Sequence, residues 1–92
     1  MGERYYAHCK HVEDGDTFKT AREHRIRLAN VCTPEKGQEE YLEAKKALAD
    51  LILDKDIVYE PVGTSCNRIV AEVWAGVTHV NQYMRNQGYT CR

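Results

Sequence analysis

The sequence predicts an α+β fold that is mainly β, and three observations carry that expectation. Short runs alternating apolar with polar residues outnumber helical periodicities. One long stretch, from Glu39 or Glu40 to about Leu53, spaces its apolar residues three and four apart. Turn-forming residues at Asp14-Gly15, at Gly63 to Asn67 and at Ala75-Gly76 separate the alternating runs. The 92 residues suffice for a single domain over 1–92, and a 42% hydrophobic share with 29% charged is that of a globular chain, which argues against disorder.

The elements follow in order. Residues from about Arg4 to Val12 form a first strand ending at the Asp-Gly turn, with Tyr5, Tyr6, Cys9 and Val12 among polar partners. Thr17 to Ala21 and Arg25 to Leu28 form a hairpin around the polar connection Arg22-Glu23-His24, with Phe18, Ile26 and Leu28 inward. Beyond Thr33-Pro34, Lys36-Gly37-Gln38 reads as loop. The helix turns Ala44, Ala47, Leu48, Leu51 and Ile52 to the core and stops at Asp54-Lys55-Asp56. A fourth strand, Ile57 to Glu60, stops at Pro61, and a fifth covers Arg68 to Trp74 with Ile69, Ala71 and Val73 on one face. Ala75-Gly76 turns the chain into the short run Val77 to Val80. A closing helix from about Asn81 packs Val80, Tyr83 and Met84 inward and ends at Gly88. The order β-β-β-α-β-β-α, with five short strands, matches the five-stranded, partly open Greek-key barrel of the OB-fold. A ubiquitin-like sandwich has a compatible pattern; a ferredoxin-like one fits less well, because a single helix follows three strands.

A formal net charge of −1 provides no global attraction to nucleic acid, so any phosphate binding must be local. No run of 18 apolar residues is present and Met1 to Tyr5 lacks the apolar centre of a signal peptide, so no membrane partner is expected; secreted and cytoplasmic settings both stay open. Cys9, Cys32, Cys66 and Cys91 permit three pairings into two disulfides, or free buried thiols. In His8-Cys9-Lys10-His11, only Cys9 and His11 can share a strand face, and exposed histidines are the simpler reading than a zinc site. Trp74 and His79 read as packing and as a polar strand residue.

One stretch carries chemistry. Asp14-Gly15-Asp16-Thr17 is a tight acidic turn, and Arg27 leaves an alternating strand eight residues before Glu35, which follows a Thr-Pro corner. The hairpin brings both groups to one end. Carboxylate oxygens, an arginine and an isolated glutamate are the parts needed to bind a metal ion and a phosphodiester.

These residues resemble the staphylococcal (micrococcal) nuclease, or thermonuclease, family from about Val12 to Gly88. Asp-Gly-Asp-Thr at 14–17, Arg27-Leu28, Thr33-Pro34-Glu35, Glu43-Ala44, Arg68, and Val80-Asn81 through Gln87-Gly88 all fall in family order. The resemblance implies a calcium-dependent nuclease acting on single-stranded DNA or RNA with little base specificity. It implies that Asp16 and the Thr33 backbone carbonyl ligate calcium, with Asp14 an outer carboxylate near the ion. It implies further that Glu35 activates the attacking water while Arg27 and Arg68 grip the scissile phosphate.

The family pattern is broken at three places. Cys32 occupies the metal-ligand position that is an aspartate in the family, so a weakened calcium site is implied, with Glu13 as a neighbouring carboxylate that could compensate. Ser65-Cys66-Asn67 replaces an Asp-Lys-Tyr-Gly segment and its lysine. The nucleotide-holding tyrosines of longer members have no counterpart up to Arg92. Two other readings therefore stand beside an active nuclease: a nuclease-like OB domain that binds without cutting, and a thiol or zinc domain using Cys9, His11 and Cys32. The oligomeric state is left open.

Overall fold

The computed structural model describes residues 2–91. Its elements are β1 (Tyr5–Asp14), β2 (Thr17–Thr20), β3 (Arg25–Leu28), α1 (Tyr41–Ile52), β4 (Asp56–Ser65), β5 (Arg68–Ala75), β6 (Thr78–His79) and α2 (Val80–Asn86). The fold is α+β and mainly β, as expected, but with six strands rather than five, ordered β3-β2-β1-β4-β5-β6. Neighbours along that order are antiparallel. A further, parallel pairing of β3 with β5 matches Ile26 to Ile69, Arg27 to Val70 and Leu28 to Ala71, so the sheet closes on itself through five strands. Among the described residues no helix is long and apolar enough to cross a membrane.

Local chemistry explains where the strands bend. Cys9 and Val12 are both buried although an odd spacing would send them to opposite faces of a regular strand; a register shift between Cys9 and His11 reconciles them. The same shift leaves His11 exposed, so Cys9 and His11 do not share a face, contrary to the expectation from a regular strand. β4 does not stop at Pro61. It runs on to Ser65, because Pro61 lies beyond the pairing with β1 and beside an irregularity between Pro61 and Gly63, where a missing N–H breaks no ladder on that side. Cys66 (φ 51°) and Asn67 (φ 63°) then form a two-residue turn closed by Ser65 opposite Arg68, which fixes Arg68 as the first residue of β5. The turn between β5 and β6 is Gly76-Val77, one residue later than expected, with Gly76 at φ 60°.

The core is built from Phe18, Ile26, Leu28, Leu48, Ile52, Ile57, Val73, Val80 and Met84, all essentially without solvent contact. α1 buries Ala44, Leu48 and Ile52, the centre of the expected stripe. On α2 the inward set is Val80, Asn81 and Met84; Tyr83 is 40% exposed and not part of it. Asn81 is buried because it completes backbone bonds. Its Oδ1 accepts from Val73 N–H at 2.8 Å, and its Nδ2 donates to the Ala71 and Ala29 carbonyls at 3.0 and 3.1 Å. α2 is thereby tied to β5 and to the end of β3, the strand that carries Arg27.

Candidate functional site

The site begins with a glycine that lets two parts of the chain touch. A Cβ on Gly15 would lie 2.8 Å from Ala44 Cβ and 2.9 Å from Thr33 Cγ2, closer than carbon atoms approach, so only glycine seats the β1–β2 turn against α1 and the Thr33 segment. Asp14 and Asp16 are carried to Thr33 by that contact. Tyr41, the first residue of α1, adds a tie from its hydroxyl, which donates to the Glu13 carbonyl at 3.0 Å.

Two arginines enter from the parallel seam. Arg27 donates to the Leu28 and Val31 carbonyls at 3.1 and 3.2 Å, and its Nη2 lies 3.6 Å from Asp16 Oδ2. Arg68 donates through Nη1 to Thr17 Oγ1 at 3.2 Å and through Nε to the Ser65 carbonyl at 3.3 Å. The Thr17 hydroxyl donates onward to Asp16 Oδ1 at 2.9 Å, so Arg68, Thr17, Asp16 and Arg27 form one connected polar row. Each guanidinium is oriented by protein oxygens yet keeps donors for a further anion. The Glu35 backbone is pinned by reciprocal bonds with Gln38, whose Oε1 accepts its N–H at 2.7 Å and whose N–H donates to its carbonyl at 3.0 Å. The Glu35 carboxylate is exposed and has no partner among the described residues.

Asp16, Arg27, Cys32, Thr33, Glu35 and Arg68, the residues placed by the resemblance in catalysis or at the metal-ligand positions, all line one cleft of about 390 Å³. Asp14, Pro34, Lys36 and Tyr41 complete its lining. Lys36 and Tyr41 were not foreseen as site residues. Lys36 follows Glu35 directly, so adjacency was its signal; Tyr41 had none beyond its place at the helix start.

A family model described as staphylococcal nuclease homologue matches residues 25–91. The chain belongs to that family. No curated protein matches it. The matched span of this nuclease-homologue domain includes Arg27, Cys32, Thr33, Glu35 and Arg68, whereas the Asp14 to Thr17 turn lies ahead of it. A nuclease-related function is what membership indicates.

The Asp14 carboxylate is the donor whose surroundings fit a cation. Its Oδ1 is buried without a hydrogen-bond partner among the described residues, and burial pushes its carboxyl up, with Asp16 and Glu13 adding to the shift and Arg68 and Arg25 opposing it. A buried carboxylate oxygen left unpaired is costly unless something positive faces it, and hard oxygens on Asp14, Asp16 and the Thr33 carbonyl suit calcium. The set is lean: among the described residues no three His, Cys, Asp or Glu side chains converge as a metal cage.

Two expectations need correction. Cys32 cannot serve as a thiolate ligand, because its sulfur is bonded to Cys91. Glu13 does not compensate: its carboxylate is held by Arg25 through Nη2 at 2.9 Å and Nε at 3.1 Å, away from the cleft. The thiol or zinc reading loses its ligands by the same facts, since Cys32 is oxidised, Cys9 is buried and His11 lies on the other face.

Proposed function

We propose that this nuclease-homologue domain is a calcium-dependent phosphodiesterase that cleaves single-stranded DNA or RNA with little base specificity. The observation that carries the reading is the cleft itself, where two oriented arginines flank an acidic turn and an unpartnered glutamate stands at the rim. Asp16 and the Thr33 carbonyl would hold calcium, with Asp14 beside them. A bound calcium ion supplies charge neutralisation at a phosphoryl oxygen and acidifies water. Arg27 and Arg68 grip the non-bridging oxygens and stabilise the extra charge of the transition state, a role for which planar guanidiniums suit better than ammonium groups. Glu35 takes the proton of the attacking water, a contribution typically on the order of 10²–10⁴-fold. The grip falls on the backbone and not on base edges, which accounts for broad substrate tolerance.

The closed path of five strands supports reading the architecture as an OB-fold barrel. With one aspartate position replaced by a disulfide-bonded cysteine, calcium affinity belongs in the weak range, roughly 10⁻⁴–10⁻³ M. The disulfide also favours an oxidising setting over the reducing cytosol.

A second reading, binding without cleavage, is favoured by one observation: the disulfide at Cys32 removes an anionic ligand from the metal site. The deciding experiment is cleavage of single-stranded DNA and RNA with calcium, with magnesium and with chelator, repeated for Glu35→Gln. Calcium-dependent cleavage lost in the variant supports the enzyme; binding with no cleavage at millimolar calcium selects the second reading.

A further inference from the structure

Thr33 and Glu35 stand on a segment with no regular structure between the end of β3 and the start of α1. Its later part is pinned by Glu35 and Gln38 to one another and by the Tyr41 N–H, which donates to the Gln38 carbonyl at 3.1 Å. Its beginning is tied to the tail of the chain: Val31 bridges to Thr90, the Cys32 N–H donates to the Tyr89 carbonyl at 3.2 Å, and Cys32 is bonded to Cys91. Cys32 lines the cleft, with its sulfur 3.9 Å from Arg27 Nη2. Both half-cystines are exposed, within reach of a small thiol.

We propose that Cys91 is a positioning residue for the reaction, acting through Cys32 to hold the Thr33 to Glu35 segment in register with Arg27, and that thiol reduction therefore switches the site down. The inference rests on the phosphodiesterase reading. Without the covalent bond, the tail is a terminal segment retained by the Val31–Thr90 bridge with its Cys32 to Tyr89 bond, and by Tyr89, whose N–H donates to the Met84 carbonyl and whose side chain packs against the core. Beyond Tyr89 only the bridge remains, and such ends open at low free-energy cost. Val31 stays in the core with its carbonyl held by Arg27, but the segment from Cys32 onward loses its covalent tie, and Thr33 and Glu35 gain freedom to move relative to the arginines. The chemistry balances with a dithiol reductant. One thiolate attacks a sulfur of the Cys32–Cys91 bond, and the displaced cysteine sulfur takes a proton. The second reductant thiol resolves the mixed disulfide, leaving two cysteine thiols and an oxidised dithiol.

A cross-link that merely stabilises the fold predicts otherwise, so the test separates local from global effects. The oxidised chain, the dithiol-reduced chain and Cys91→Ser are compared where circular dichroism shows all three folded. kcat and KM on single-stranded DNA are measured, together with amide exchange residue by residue. The expected result is a loss of kcat of roughly 10- to 100-fold on reduction, restored by reoxidation, matched by Cys91→Ser without reductant. Exchange should speed up at the Cys32 and Glu35 amides, which are hydrogen-bonded in the oxidised chain, while the β5 amides stay protected. Unchanged kcat in both the reduced chain and the variant, or exchange that accelerates equally in β5, overturns the proposal. If the oxidised chain does not cleave at all, the phosphodiesterase reading fails, and the exchange pattern alone still decides whether the bond orders the segment.

Discussion

Arg68 and Thr17 are joined by a hydrogen bond of 3.2 Å from guanidinium to hydroxyl, linking the first residue of β5 to the first residue of β2. Thr17 is 1% exposed, and its hydroxyl also reaches Asp16, so one buried oxygen aligns an arginine of the proposed phosphate grip with a carboxylate of the acidic turn. Thr17→Val keeps the shape and removes the oxygen. A loss of about 1 to 2 kcal/mol is expected from urea unfolding, with a fall in kcat/KM of roughly tenfold. An unchanged kcat/KM would show that Arg68 needs no alignment from Thr17.

Gly15→Ala should harm the site out of proportion to its size. The new methyl meets Ala44 and Thr33 at under 3 Å, and the turn must lift away from both. Overpacking of this kind costs about 1–3 kcal/mol, and the displaced Asp16 should weaken calcium binding by calorimetry. Gly63→Ala is the control, since among the described residues nothing lies within 4 Å of a Cβ there; equal effects of the two substitutions would discredit the close approach at Gly15.

Asn81→Ala and Asn81→Leu should both destabilise the fold by about 2–4 kcal/mol in denaturant titrations. Either change strips the Val73 N–H of its acceptor. Restoring volume with leucine should not rescue stability, because the missing element is a buried hydrogen bond and not packing. Full rescue by leucine would make Asn81 an ordinary cavity filler.

The two unpaired cysteines should differ sharply in reactivity. Without reductant, a thiol reagent should modify the exposed Cys66 and spare the buried Cys9 until the chain unfolds. Burial pushes the Cys9 thiol up from 9.0 to about 11. Its folded form thus holds its proton more tightly than its unfolded form. The associated stability is complete below about pH 9 and is lost as pH rises through about 11. Wild type minus Cys9→Val, followed by urea midpoints across that window, isolates this slope; a flat difference would contradict the burial of the thiol.

Much of the fold was legible because alternation and helical spacing report burial directly. Phe18, Ile26 and Leu28 in the hairpin, and Ala44, Leu48 and Ile52 on α1, are inward as their spacing requires. The cleft was legible too, since Asp16, Arg27, Thr33 and Glu35 lie close in sequence around one hairpin. What was hidden depended on contacts distant in the chain. Pro61 reads as a strand end unless one knows that its neighbouring side is unpaired. Tyr83 reads as more apolar than Asn81, yet three backbone bonds draw the amide inside. Three cysteine pairings were equally open on spacing, and only the bridge from Val31 to Thr90 brings Cys32 to Cys91.

The parallel seam between β3 and β5 sets when the proposed phosphate clamp can assemble during folding. Arg27 and Arg68 belong to strands separated by a helix and a further strand, and they share one face of the cleft only once that seam has formed. Pairings between residues so far apart in the chain carry a large closure entropy and are slow to form. The β1–β2 hairpin and α1 need no such closure. In a refolding experiment the recovery of cleavage should therefore trail the recovery of helical signal, because the chain can look largely native before it has two arginines to offer a phosphate.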